Sequence, residues 1–119
     1  MPTTVLLIDD DHQFRPFVRL ALERGGHSAR EAGDGAEGLR AYRREPADGA
    51  VCDVFMPGLG ALEALRRLRR LDPAVKVVMM SAGGEGPLGA ALTLGAAAIL
   101  RKPFGLADLL KAVQEALAG

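Results

Sequence analysis

Val5-Leu6-Leu7-Ile8-Asp9-Asp10-Asp11 puts four consecutive apolar residues directly ahead of three carboxylates. An apolar run without polar alternation reads as a strand buried on both faces, the kind found inside a parallel sheet. From Gln13 to Arg24 the apolar residues Phe14, Phe17, Val18, Ala21 and Leu22 then recur at helical spacing. Gly25-Gly26 stops that helix. The first unit is therefore a buried strand, an acidic loop and a helix.

The same unit repeats along the chain. Ser28 to Glu31 is a short, weak strand, and Ala36 to Arg44 carries Leu39, Ala41 and Tyr42 in a helical pattern that Pro46 ends. Gly49 to Val54 reads as a buried strand and Pro57-Gly58 as a turn. Leu62, Leu65 and Leu68 line a helix finishing near Asp72-Pro73, and Val75 to Met80 is the clearest strand. Gly83, Gly84, Gly86 and Gly89 weaken the next helix, the fourth, which is predicted to be short, about Leu88 to Leu94. Ala97 to Leu100 is a brief strand, and Leu106, Leu109, Leu110, Val113 and Leu117 stripe a last helix. Five strand and helix alternations imply an α/β fold, a five-stranded parallel sheet flanked by five helices.

The 119 residues are 49% hydrophobic and 25% charged, which suits one globular domain spanning residues 1–119. Fifteen Lys and Arg balance fifteen Asp and Glu, arguing against electrostatic capture of nucleic acid or an anionic membrane. No basic region followed by an apolar stretch opens the chain, and no run is long enough to span a bilayer, so a cytoplasmic protein is expected. Cys52 reads as a buried filler. Arg66, Arg67, Arg69 and Arg70 read as the solvated face of a leucine-striped helix, and His12 and His27 lack ligand partners at useful spacing.

In an open parallel sheet, ligands bind beyond the carboxyl ends of the strands. Asp9 and Asp10 follow strand one, Asp53 closes strand three, Ser81 follows strand four and Lys102 follows strand five; strand two supplies nothing comparable. Two carboxylates about 4 Å apart repel by roughly 4 kcal/mol at an effective dielectric near 20, so a cation belongs among them. An all-oxygen donor set selects a hard divalent ion with open positions for phosphate. Lys102 can offset further charge, and the Ser81 hydroxyl with the next backbone N–H can donate to phosphate oxygens. The constellation reads as a phosphoryl site with Asp53 as nucleophile. Asp11 is better explained as a helix cap.

These stretches, with Asp53-Val54-Phe55-Met56-Pro57-Gly58, Ser81-Ala82, Leu94-Gly95-Ala96 and Leu100-Arg101-Lys102-Pro103-Phe104, resemble the receiver domains of bacterial two-component response regulators over essentially the whole chain. The resemblance implies a flavodoxin-like sheet of order 2-1-3-4-5 and a cis Lys102-Pro103 bond. It implies Asp53 as phosphoacceptor, and Mg²⁺ held by Asp9, Asp10, Asp53 and the Phe55 backbone carbonyl. Ser81, the Ala82 N–H and Lys102 would hold the phosphoryl oxygens. The function implied is a phosphorylation-dependent signalling switch that takes phosphate from a phospho-histidine of a sensor histidine kinase or histidine phosphotransfer protein. Its output would go to a downstream protein or to a C-terminal effector domain outside these residues, with a homodimer as an alternative use of that surface. Direct contact with nucleic acid or membrane is not expected, nor enzymatic activity beyond self-catalysed phosphoryl transfer and slow autodephosphorylation.

Several positions depart from the family pattern. Ile99 stands where receivers carry a switching Tyr or Phe, and the segment from Ser81 to Gly95 is about one residue short. Gly60-Ala61 replaces a common Asp-Gly. Neither Phe55 nor Gly83 offers a polar side chain to orient hydrolytic water, so a long-lived phosphoryl group is expected, with Phe55→Asn speeding its loss. Leu88, Leu92 and Leu94, with Ile99, are either core or a small docking face. Two other functions fit less of the sequence. A phosphorylation-independent docking scaffold would leave the five polar residues unused, and a haloacid-dehalogenase-type phosphatase needs a second Asp where Phe55 stands.

Overall fold

In a computed structural model that describes residues 3–54, 60–81 and 85–119, strand β1 (Thr4–Ile8) lies at the centre of the acidic half of the sheet. It pairs in parallel with β2 (Ser28–Ala32) on one side and β3 (Gly49–Asp53) on the other. Strands β4 (Lys76–Ser81) and β5 (Ala98–Arg101) extend the sheet, giving the order β2-β1-β3-β4-β5. The sheet's order reverses between β1 and β3, the position at which such folds open a crevice.

Helices α1 (Arg15–Arg24) and α5 (Leu106–Ala118) cover one face. Val18, Ala21, Leu22, Leu109 and Val113 pack there with Val5, Leu7, Val51, Val78 and Met80. On the other face Leu39 and Tyr42 of α2 (Gly35–Arg44), Leu65 and Leu68 of α3 (Ala61–Leu71) and Ala91 of α4 (Glu85–Thr93) meet Leu6, Ile8, Cys52, Val77 and Met79. Adjacent strand residues alternate between the two cores, which is why neither face of β1 or β3 could be polar. Gly38 lets α2 approach β1: a Cβ there would stand 2.6 Å from Ile8 Cδ1. Cys52 is buried and free, and burial pushes its thiol pKa far above the ordinary range, so it is inert filler.

Three local readings change. Helix α1 begins at Arg15, because the Asp11 carboxylate accepts from the Gln13 and Phe14 amides and winds the preceding residues into a turn. Phe17 lies at the edge of the apolar stripe, 41% exposed, and the fully buried members of α1 are Val18, Ala21 and Leu22. Helix α4 begins at Glu85, three residues before the expected start. Burial of Ala91 in the core outweighs the poor propensity of its glycines. Gly95, with φ +97°, turns the chain from α4 toward β5.

Candidate functional site

Parallel register brings the acidic residues together. Ile8 pairs with Cys52, so Asp9 and Asp53, each one residue further on, leave the sheet side by side. The Asp9 amide donates to the Ala32 carbonyl at 3.1 Å and the Val54 amide to the Met80 carbonyl at 2.8 Å, fixing both chain exits. One oxygen from each of Asp9, Asp10 and Asp53 lies within 4.8 Å of the others. Asp9 and Asp53 are buried and Asp10 is exposed.

Asp9 is inaccessible to solvent. Its Oδ1 accepts from the Asp11 amide at 2.9 Å, while Oδ2 is buried without a hydrogen-bond partner. Burial pushes the Asp9 carboxyl up to about 6; the Asp11 amide opposes this and the charge of Asp53 adds to it. An orphaned buried oxygen among three hard carboxylate donors fits a divalent cation such as Mg²⁺, which would supply the missing partner and the missing charge.

Lys102 approaches from the far side of the chain. Its Nζ lies 3.4 Å from Asp53 Oδ2. The Lys102 amide donates to the Ser81 carbonyl at 2.8 Å, tying the end of β4 to the lysine loop, and the Lys102-Pro103 bond is cis. Ser81 is the last residue of β4 and is fully buried. Asp9, Asp10, Asp53, Ser81 and Lys102 thus all lie at the carboxyl ends of β1, β3, β4 and β5. Pro103 is exposed beside Lys102. Ile99 is half-buried opposite Met79 in β5 and packs on the α2, α3 and α4 side. Phe55 and Ala82 lie outside the described residues.

Two supports were not expected from the sequence. Strand β2 does contribute: Glu31 accepts from Arg15 Nε at 3.1 Å and Arg19 Nη1 at 2.8 Å, while Arg15 Nη1 donates to the Asp9 carbonyl at 2.9 Å. The Arg19 hydrogen bond above all holds Glu31 below its usual range. Phe14, half-buried just before α1, packs against the core as its spacing suggested and also places its ring centroid 4.3 Å from Lys102 Nζ. The available signal was compositional: the chain has four phenylalanines, and three of them (Phe14, Phe17 and Phe104) follow the two loops that carry Asp9 and Lys102.

Residues 5–114 match the family model described as the response regulator receiver domain. The transcriptional activator protein PfeR of Pseudomonas aeruginosa is 40% identical over 106 residues, covering 88% of this chain and 34% of that protein. The response regulator MprA of Mycobacterium leprae is 35% identical over 114 residues, covering 95% of this chain and 50% of that protein. The chain spans half or less of the length of these two curated relatives. A response regulator from Thermotoga maritima superposes with a TM-score of 0.89 at 31% identity over 100% of both chains. A CheY-like receiver domain protein from Methanospirillum hungatei reaches 0.94 at 27% identity, covering 99% of this chain and 95% of that one. The sheet order, the position of the acidic cluster and the extent of these matches agree: the chain belongs to the response regulator receiver domain family.

Proposed function

We propose that this receiver takes a phosphoryl group onto Asp53 in a Mg²⁺-dependent reaction and thereby switches a partner-binding surface. Phosphorylation-dependent switching is the general function of its family. The observation that carries the assignment is the grouping of the Asp9, Asp10 and Asp53 oxygens within 4.8 Å with Lys102 Nζ 3.4 Å from Asp53. The donor would be a phospho-histidine of a sensor histidine kinase or histidine phosphotransfer protein. An Asp53 carboxylate oxygen forms the new P–O bond in line as the P–N bond to histidine breaks, and the imidazole leaves with the bonding pair. Lys102 offsets charge on the phosphoryl oxygens, and the Ser81 hydroxyl donates to one of them. Mg²⁺, held by Asp9, Asp10 and Asp53, would neutralise charge on the same group. Phe55 and Ala82 backbone groups would complete the set. The receiver would comprise all 119 residues and act in the cytoplasm, and its output would reach a separate protein or an effector domain, as in the transcriptional regulators it resembles.

Incubation with acetyl phosphate and Mg²⁺, followed by intact mass, tests this. A gain of one phosphoryl group is expected, abolished by chelator and by Asp53→Ala. A gain that survives Asp53→Ala, or none with metal present, would overturn it.

A further inference from the structure

Lys102 has a second partner. Its ammonium lies 3.4 Å from Asp53 Oδ2 and also 4.3 Å from the centroid of the Phe14 ring. A lysine on a four-carbon stem loses considerable rotamer freedom when fixed. A single partly exposed ion pair gains little against that loss. Beside this lysine is an open cavity of about 730 Å³ lined by Gln13, Phe14, Phe17, Lys102, Pro103 and Phe104. The face of an aromatic ring attracts a cation through its quadrupole.

We propose that Phe14 is a positioning residue that confines the Lys102 ammonium beside Asp53. The ring is itself fixed. Phe104 meets it nearly edge-on, at 78° and 6.0 Å between centroids, and Phe17 lies tilted at 5.6 Å. Its backbone is fixed too, since the Phe14 amide donates to the Asp11 carboxylate at 3.1 Å. The loop that carries the acidic cluster therefore also sets the ring, and the ring sets the lysine arriving from β5, 88 residues later in sequence. Phe104 lies on the lysine's own loop, so one aromatic cluster clasps the two segments that must meet around the phosphoryl group.

The inference rests on the proposed phosphoryl chemistry for its kinetic consequence but not for the contact itself, so its test has two arms. Variants Phe14→Leu, Phe14→Tyr and Phe14 replaced by pentafluorophenylalanine separate packing from ring electronics, because the fluorinated ring keeps its shape while its quadrupole reverses. In the first arm, the initial rate of acetyl phosphate-dependent phosphorylation should fall about threefold for the Leu and pentafluoro variants and be retained by Tyr, a size set by a partly exposed cation–π contact. Mg²⁺ affinity should be unchanged in all three. In the second arm, the Lys102 ε-methylene proton resonance should be ring-current shifted in the wild type and Phe14→Tyr, and lose that shift in the other two. A pentafluoro variant that reacts and resonates like the wild type would overturn the proposal, as would a Leu variant retaining the wild-type shift. If the wild type takes no phosphate at all, the phosphoryl reading fails while the resonance arm still decides the lysine contact. Should Phe14→Leu fail to fold, the pentafluoro and Tyr variants decide alone.

Discussion

The two halves of the sheet are built to different standards. Around β1 and β3 burial is nearly complete: Val5 to Asp9 and all five residues of β3 are buried, and α2 and α3 bring Leu39, Tyr42, Leu65 and Leu68 against them. At β5 no residue is fully buried, and the overlying α4 exposes Gly86, Gly89 and Leu92. The first half carries three carboxylates whose oxygens must stay within a few ångströms despite their repulsion, so the scaffold over-determines their positions. In the second half β4 is buried, but β5 and α4 hold little buried surface, so displacement there costs least.

Truncations should expose this contrast most strongly. Leu65→Ala, at a fully buried α3 position, should lower unfolding free energy by about 2–5 kcal/mol. Ile99→Ala, half-buried, should cost about 1–2 kcal/mol, and Leu92→Ala, 50% exposed, about 0.5 kcal/mol or less. Denaturant titration reads all three. An Ile99→Ala cost equal to that of Leu65→Ala would erase the difference between the halves.

The acidic half should also carry a pH-dependent liability. Asp9 ionises near 6 when folded and near 3.8 when unfolded, so the folded state holds an extra proton between those values. Stability is therefore lost as pH rises through that window and stays lost above it. Asp9→Asn should stabilise the metal-free protein at pH 8 by on the order of 2 kcal/mol, a gain that shrinks toward zero as pH falls toward 4. Adding Mg²⁺ should raise the wild type's melting temperature and leave the variant's nearly unchanged. A variant no more stable than wild type at pH 8 would mean that the buried carboxylate carries no such penalty.

A small effect of opposite sign is expected in α4. A Cβ added at Gly89 meets nothing within 4 Å, so Gly89→Ala should stabilise by about 0.5–1 kcal/mol through helix propensity alone. By contrast Gly49→Ala, in β3, would press against the Lys76 carbonyl oxygen at 2.9 Å and should destabilise. If Gly89→Ala also destabilises, α4 is not loosely packed and the contrast between the halves narrows.

Legibility in the sequence divides along the same line. Val5 to Ile8 and Gly49 to Val54 announced themselves because strands buried on both faces have no polar alternation, and the residues closing them had to emerge at one rim. Asp9, Asp53, Ser81 and Lys102 were therefore legible from position alone. The start of helix α4 was not, because glycine content lowers propensity while the burial of Ala91 that outweighs it is a tertiary fact. Phe14 was legible only in part, for a related reason. Its apolar character placed it against the core, where it does pack, but nothing local shows that the ring also meets a lysine 88 residues away. The link from Glu31 through Arg15 to the Asp9 backbone was equally invisible, since β2 has no apolar run to mark what its charged residues hold.

The most direct test of the central claim is to locate the phosphoryl group. Borohydride reduction of the acetyl phosphate-treated protein converts an aspartyl phosphate to homoserine, which peptide mass spectrometry assigns to a single position. Homoserine at residue 53 and at no other carboxylate is the expected result. Homoserine at residue 9 or 10, or at no position despite a phosphoryl gain in intact mass, would contradict Asp53 as the acceptor.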